Sequence, residues 1–525
     1  MKISKKLMAL GLIVTSLSVV GCSSQEQETQ VESDTQEIST ISIAASGDAM
    51  NFNPLYANDR VSMTVMNTIF NPLYVVEEDG QKTFYLAENI TASEDFLTYT
   101  LTLKDNLKWH DNTPLTADDI VFTVQTILDE AQVAKDRGNF VIGDSEIIVN
   151  KIDDKTVEFV LPQVTTSIEN VIGSIRPIPK HIYEGVADIS KSEKNQIPIG
   201  NGPYKFAEYK TGELITLEKF EDFYGKKAEL DTVTYRIIPD SNTANIALQN
   251  SEIQAKYVLP DELETIEQNE NVDVITYDEG MVDTLVMYQD NNEQLKNVKV
   301  RQALSYAINR EEIITAAYKS EEYADKATSL FAPTTIGFTQ EVENFDYDLE
   351  KSKQLLKELG VNDLKLTLAY GTHKSHLESI ALTIQSNLQK AGVEVELMPM
   401  ESSAFFSQIR AGKEREFDLA LNSYVMGSDP SQYGAIFKTD GPNNIQAYSN
   451  KEVDELFDLA LEETDEAKRN DLYEKIQKIV SEEVSLYSIT YPKSIVAIDS
   501  KYDGVDEATP APIFMFRDLN ELKLK

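Results

Sequence analysis

The residues best suited to bind a ligand form one short run, residues 424–430 (YVMGSDP). It combines an aromatic ring at Tyr424, an adaptable thioether at Met426, a flexible Gly427 and a carboxylate at Asp429. The proline that follows biases Asp429 towards an extended backbone. A carboxylate held in this way at a cleft edge suits a ligand ammonium group, through charge-assisted hydrogen bonds. A ligand-free Asp-Pro turn is the alternative interpretation.

Two other pairs of residues carry weaker signals. His373 and His376 lie three residues apart near a predicted strand end, but two histidines without a third ligand are more typical of a loop or helix start. Arg410 and Arg415 could pair with a ligand carboxylate, although cations near a helix end ordinarily complement the helix dipole. We therefore expect no metal site.

Catalytic motifs are missing from the sequence. It contains no G-x-S-x-G, no H-E-x-x-H and no phosphate-binding P-loop, and its one cysteine lies near the N-terminus. We therefore expect no enzymatic activity, no catalytic residue and no cofactor. With 88 acidic against 48 basic residues the net charge is −40, which repels nucleic acid and anionic lipid. The same charge tolerates or attracts cationic ligands, or serves solubility alone.

An α/β segment, residues 290–485, positions the ligand run. Strands near 364–368, 393–397 and 417–424 alternate with helices near 348–359, 376–391 and 402–412, and this alternation predicts parallel strands joined by right-handed crossovers. Ligands of open α/β sheets bind beyond the carboxyl ends of the strands. Residues 371–376, 400–403 and 424–429 occupy those ends.

The remainder of the chain is richer in strands. Alternating apolar residues predict strands near 41–43, 83–86 and 98–103 and across 199–240, with a helix that a capping box of Thr116 and Asp119 begins. Helices are predicted at about 451–462 and 466–482. The tail, 484–525, returns to strand-like spacing with Pro492 and Pro512. At 525 residues the chain exceeds one hydrophobic core, so we expect two or three domains.

The N-terminus is predicted to be an export signal. Three lysines precede an apolar run, residues 7–20, which is too short for a spanning helix of about 20 residues. The run ends in LSVVGC, which resembles a bacterial lipobox, and this resemblance implies cleavage after residue 21 and lipid attachment at Cys22. An ordinary cleaved signal with an incidental cysteine is the alternative. Residues 22–39 are polar and acidic and predict a flexible linker.

Four segments together resemble extracellular solute-binding proteins of family 5, the oligopeptide-, dipeptide- and nickel-binding lipoproteins of ABC importers. They are residues 104–123 (KDNLKWHDNTPLTADDIVFT), 199–206 (IGNGPYKF), 300–310 (VRQALSYAINR) and 448–454 (YSNKEVD). Asn112 stands where the family usually has Gly, and Asn tolerates the left-handed conformation that such a turn needs.

The resemblance implies an α/β, three-lobed periplasmic-binding-protein-like fold (class II, cluster C type), with two main lobes closing on a ligand cleft. Lobe I comprises residues 40–75, 199–285 and 486–525, lobe II is 76–198, and lobe III is 286–485. The hinge is expected near residues 285 and 486. The motif at 109–111 (WHD) is expected to be structural.

By the same resemblance, the protein captures extracellular oligopeptides in the interlobe cleft, bound in extended form through the backbone. It places the ammonium partner near Asp429, with Tyr424, Met426 and Gly427 beside it, although the family often has Trp where Tyr424 stands. Amide or backbone partners are expected near Tyr288 and Gln289. Asn53, in the loop after the first strand, is a further candidate.

The implied protein is a monomer on the outer face of the cell membrane, held by lipidated Cys22, that delivers peptides to permease subunits. Alternatives on the same fold are a nickel chelate, a peptide pheromone or an oligosaccharide as ligand. A sensor or adhesin without transport is an alternative of another class.

Overall fold

The computed structural model describes residues 39–372, 374–511 and 513–525. The predicted signal peptide, Cys22 and nearly all of the predicted linker lie outside the described residues, as do His373 and Pro512.

The strands are numbered in chain order. They are β1 Thr40–Ala45, β2 Tyr74–Val76, β3 Lys82–Phe84, β4 Ala87–Ala92, β5 Thr98–Leu103, β6 Val141–Ile142, β7 Ser145–Glu146, β8 Ile148–Lys151, β9 Thr156–Val160, β10 Tyr204–Lys210, β11 Leu214–Lys219, β12 Thr232–Ile237, β13 Ala255–Tyr257, β14 Val272–Asp278, β15 Met281–Met287, β16 Ala324–Lys326, β17 Lys365–Gly371, β18 Glu394–Met400, β19 Leu419–Val425, β20 Leu486–Asp499, β21 Tyr502–Asp503 and β22 Lys523–Leu524.

The α-helices follow the same numbering. They are α1 Arg60–Ile69, α2 Ala117–Leu128, α3 Ile168–Ser174, α4 Lys180–Tyr183, α5 Ser241–Gln249, α6 Leu263–Ile266, α7 Val298–Ala307, α8 Arg310–Ile313, α9 Leu349–Glu358, α10 Ser375–Lys390, α11 Ser402–Gln408, α12 Gly434–Phe437, α13 Lys451–Glu462 and α14 Glu466–Glu483. No helix among the described residues is long and apolar enough to cross a membrane.

One large sheet forms the centre of the molecule. In the described part of the chain it has twelve strands, with the path β10-β11-β12-β1-β13-β20-β15-β19-β17-β18 and with β14 and β16 also paired to β20. The long strand β20 therefore joins two halves. Its first residues pair with β15 and β16, and its last residues pair with β13 and β14.

The change of partners along β20 explains how a proline fits inside a central strand. Thr490 pairs with Asp283 of β15 and Lys493 pairs with Asp278 of β14, so on that side the two residues between them are unpaired. Pro492 lies in this gap, where its missing N–H costs no ladder hydrogen bond. Of the strand-like spacing predicted for residues 484–525, only residues 486–499 form a long strand, and the short strands β21 and β22 follow in the described part of the tail.

The predicted parallel order of the α/β segment is confirmed. Strand β17 pairs in parallel with both β18 and β19, and helices α10 and α11 lie between these strands in sequence. The preceding helix α9 begins as predicted, because the Asp348 side chain accepts from the Lys351 backbone N–H at 2.9 Å. It ends before Gly360, which has the positive φ of +69° that a helix C-terminus favours.

A second, four-stranded sheet has the order β4-β5-β9-β8. The predicted strand at 83–86 is wrong as a single unit: β3 ends at Phe84, and β4 begins at Ala87 and pairs with β5. Helix α2 packs on β8 and β9, and the Asp119 carboxylate accepts from the Thr116 backbone N–H at 2.9 Å, as the capping box predicts. We call residues 76–198 the small-sheet region.

The tryptophan motif joins the small-sheet region to the segment after it. Trp109 is fully buried, and Asn112 has a left-handed φ of 68°, as predicted. His110 Nε2 bonds the Gly202 carbonyl at 3.0 Å, while Nδ1 accepts from the Gly200 N–H at 3.2 Å. This arrangement requires a neutral imidazole with its proton on Nε2.

The protonation of His110 links stability to pH. Burial lowers the pKa of His110 from 6.5 to about 4. Because the unfolded chain takes up the proton first, this contribution is complete above pH 6.5 and is lost as the pH falls towards 4. Between pH 7 and pH 5 the wild type should lose about 2 kcal/mol more unfolding free energy than the His110→Gln variant. Urea denaturation of both proteins at both pH values measures this difference, and equal losses would contradict the assignment.

Candidate ligand-binding site

A cavity of about 950 Å³ lies between three parts of the chain. This size is at the upper end of the range for small-molecule sites. Its walls comprise residues from the small-sheet region and the strand before it, from the α/β segment, and from the C-terminal tail. These residues fall within 72–78, 138–143 and 163–176, then 334, 426–438 and 458–462, and finally 511–517.

Two walls of the cavity touch at its edge. The Thr166 backbone N–H donates to the Leu461 carbonyl at 2.8 Å, and its hydroxyl donates to the Ala460 carbonyl at 3.2 Å. On the other side the Ser428 hydroxyl donates to the Val76 carbonyl at 3.2 Å. These bonds connect the small-sheet region to the α/β segment at the edge of the cavity.

Asp429 is the buried carboxylate of the cavity. It follows β19 and is 8% exposed, and its Oδ1 accepts from the Ser431 backbone N–H at 2.9 Å. That bond caps the short 3₁₀ helix Pro430–Tyr433. Burial raises the pKa of Asp429, against the opposing effects of Ser431, Asn170 and Arg469. Because no cation pairs with it among the described residues, the site favours a cationic ligand group.

Two salt bridges hold other charged side chains of the cavity wall. Arg517 contacts Glu77 at 3.0 Å, and Lys438 contacts Asp458 at 2.6 Å. Burial raises the pKa of Glu78, and the neighbouring carboxylates of Asp278 and Glu77 reinforce that rise. The described walls carry more acidic than basic side chains, and they combine polar with apolar surface.

The structure brings three of the predicted ligand residues to the cavity wall. Met426, Gly427 and Asp429 line it together. Met426 is fixed by its backbone N–H, which donates to the Gly280 carbonyl at 2.9 Å. Tyr424 lies just before them in β19 opposite Val282, and its side chain is not part of the cavity wall.

The strand register separates Tyr288 and Gln289, the expected amide or backbone partners, from Asp429. Strands β15 and β19 are antiparallel, with Met281 opposite Val425 and Met287 opposite Leu419. The two candidates therefore lie at the end of β15 remote from Asp429, about 20 Å away at 3.4 Å per residue. Tyr288 is fully buried and does not line the cavity.

The Arg415 side chain covers one face of the buried Tyr288 ring. Its guanidinium lies 3.8 Å from the centre of the Tyr288 ring and pairs with Asp290 at 2.6 Å. Arg410 instead donates to the Phe406 carbonyl at 3.3 Å, the helix-end role that we expected. Neither arginine lines the cavity.

Asn53, the further candidate, also lies away from this cavity. It is 1% exposed, donates to the Asn195 side chain at 3.2 Å and accepts from the Leu55 N–H at 3.0 Å. These bonds hold the loop after β1 against the small-sheet region. Asn53 therefore has a structural position outside the cavity wall.

The chain passes between the two halves of the large sheet at Glu279 and Gly280, between β14 and β15. The buried Glu279 carboxylate accepts from Arg60 at 2.7 Å, from the Ser494 hydroxyl at 2.7 Å and from the Ile513 N–H at 3.0 Å. Arg60 and these bonds hold the pKa of Glu279 below its usual value despite its burial. This crossing lies a few residues before the predicted hinge at 285.

The walls supplied by the small-sheet region and the tail escaped sequence reasoning. Asn170, Arg176 and Phe514 line the cavity, yet each lies in an apolar or proline-containing stretch without a recognised ligand pattern. The sequence signal that could have identified this wall was a charged residue inside such a stretch, Arg176 before Pro177. Among the described residues no group of three or more His, Cys, Asp or Glu side chains is arranged to hold a metal ion.

An α/β fold with a cavity between separate regions of the chain is typical of solute-binding proteins. The chain belongs to the bacterial extracellular solute-binding proteins, family 5, whose model matches residues 84–444. It is 29% identical over 484 residues to the oligopeptide-binding protein AppA of Bacillus subtilis, which covers 88% of each chain.

Solved structures agree with this assignment. An ABC transporter substrate-binding protein of Listeria monocytogenes, CtaP, is 44% identical with a TM-score of 0.90, over 93% of this chain and 100% of that one. Bacillus subtilis AppA in complex with a nonapeptide is 28% identical with a TM-score of 0.76, over 93% and 99% of the two chains. The periplasmic-binding-protein-like fold expected from the sequence is thus confirmed.

Proposed function

We propose that this protein captures extracellular peptides in the 950 Å³ cavity and delivers them to the permease of an ABC importer. The observation that carries the proposal is Asp429, a buried carboxylate without a cationic partner among the described residues. A peptide ammonium supplies the missing positive charge through charge-assisted hydrogen bonds. Met426 and Gly427 lie beside it in the wall.

A peptide suits the remaining walls for a second reason. They combine polar groups with apolar surface, so an extended backbone can form hydrogen bonds while side chains enter the wider parts of the cavity. The similarity to an AppA chain that holds a nonapeptide supports this ligand class. The protein acts as a binding protein and not as an enzyme.

We further propose that the chain forms three lobes, with the small-sheet region as lobe II. The two main lobes close about a hinge at Glu279 and Gly280 and the facing part of β20. The bonds from Thr166 and Ser428 across the cavity edge form in the closed state. Closure then encloses the peptide, in the manner of a hinge motion.

Thermal unfolding tests the peptide proposal. A ligand that binds only the folded state at 100 times its Kd stabilises that state by about 2.7 kcal/mol. We expect a rise in Tm with mixed short peptides and none with an oligosaccharide mixture. Titration calorimetry is the matched binding assay, because the one tryptophan, Trp109, is buried outside the cavity. A rise with nickel-histidine chelate alone would contradict the proposal.

Membrane attachment through lipidated Cys22 is the remaining part of the proposal. In cells that process lipoproteins, the Cys22→Ser variant should lose fatty-acid labelling and pass from the membrane pellet to the soluble fraction, because acyl chains supply the anchoring free energy. Wild-type protein processed in parallel is the control. A variant that stays in the pellet would contradict lipid anchoring.

A further inference from the structure

Arg176 is a cation in the cavity wall without an acidic partner in the described part of the chain. Its Nε donates to the Phe70 carbonyl at 3.0 Å, and its Nη2 donates to the Asn67 side-chain oxygen at 2.8 Å. Both acceptors are neutral. The Phe514 ring lies 5.9 Å from the guanidinium carbon. Arg176 is thus held in place by neutral acceptors, without a direct ion pair to a carboxylate among the described residues.

The other two cations of the cavity wall differ in this respect. Arg517 contacts the Glu77 carboxylate, and Lys438 contacts the Asp458 carboxylate. The charged groups that face Arg176 are Asp136, the Tyr85 hydroxyl and the cationic Arg517. Asp136 attracts and Arg517 repels its charge, but neither is at salt-bridge distance, so an incoming carboxylate can pair directly with the guanidinium.

The chain gives the backbone spacing between this cation and a residue that faces Asp429. The Asn170 side chain faces the Asp429 carboxyl, and Arg176 follows six residues later, beyond the end of α3. At about 1.5 Å per helical residue, with a more extended step at the end, the backbone positions of Asn170 and Arg176 are about 9 to 12 Å apart. An extended peptide advances about 3.3 Å per residue, so roughly three residues span that distance.

We infer that Arg176 binds the C-terminal carboxylate of a short peptide whose ammonium group lies on Asp429. The inference rests on the proposed function and narrows it to zwitterionic peptides of about two to four residues. A longer peptide cannot place both of its ends on these two groups without bending. The pair of opposite charges thus sets both the length and the direction of the ligand.

Calorimetry with free and C-terminally amidated tri-alanine tests the inference without altering the protein. The wild type should bind the amidated form about tenfold more weakly or worse, because the charge-assisted bond is lost. In the Arg176→Gln variant, free and amidated peptides should bind equally. Arg176→Lys should keep part of the difference, because it keeps the charge without the planar fork.

Arg236→Gln is the matched control. This arginine pairs with Glu252 and lies outside the cavity wall, so the effect of amidation should persist in the variant. Equal affinity of wild type for free and amidated peptides, or tighter binding of octa-alanine than of tri-alanine, would overturn the inference and leave peptide binding intact. Binding of no peptide at all would overturn the proposed function together with the inference.

Discussion

The Asp429→Asn variant should bind short peptides about 10- to 100-fold more weakly than the wild type, because a charge-assisted hydrogen bond contributes about 1.5–3 kcal/mol. Asn keeps a side-chain oxygen for the Ser431 N–H, so the cap of the 3₁₀ helix survives. Since burial raises the pKa of Asp429, removing the charge should not lower stability. Calorimetry measures the binding, and urea denaturation measures the stability.

Asp348→Asn is the matched control for that experiment. Asp348 also caps a helix through its carboxylate, but it lies outside the cavity. Its replacement should leave peptide affinity unchanged. N-acetylated peptides, which lack the ammonium, should bind wild type and Asp429→Asn alike. Unchanged affinity of Asp429→Asn for free peptides would contradict the role that we assign to this carboxylate.

The Gly280→Ala variant should lose about 3 kcal/mol or more of unfolding free energy. Gly280 has a φ of +67°, and an added Cβ would lie 2.1 Å from the Met426 carbonyl oxygen. That contact is with backbone, so relief requires one strand to move and breaks the bond between the Met426 N–H and the Gly280 carbonyl. Because Met426 lines the cavity, peptide affinity should fall as well.

Gly212→Ala isolates the steric part of this effect. Gly212 has a similar φ of +74°, but nothing lies within 4 Å of an added Cβ. It should lose only about 1 kcal/mol, the cost of the left-handed conformation. Urea denaturation of the two variants beside wild type measures the difference. Equal losses of unfolding free energy in the two variants would mean that the close approach at Gly280 does not affect stability.

Local signals in the sequence predicted most of the α/β segment. The cap at Asp348, the glycine at 360 and the alternating Leu364–Leu368 run each depend on neighbours within a few residues. The parallel order of β17 to β19 then follows from the handedness of crossovers. The motifs that resemble the family supplied the expected lobe boundaries and ligand class, which periodicity alone does not give.

The candidate site was predicted only in part, because register and closure depend on contacts distant in sequence. The β19 end with Met426, Gly427 and Asp429 was accessible to the strand-end rule. The antiparallel pairing that removes Tyr288 from this end joins residues more than a hundred positions apart. The wall bearing Arg176 meets Asp429 only after the small-sheet region packs against α13. No local pattern encodes such a contact.

Native mass spectrometry of the purified mature protein, followed by denaturation to release bound ligand, tests the central claim most directly. If the lobes close around the ligand as proposed, the protein should retain ligand through purification. The account predicts a series of released masses that match mixed short peptides, and their loss from the Asp429→Asn variant. A single non-peptide mass, or a nickel adduct, would contradict it.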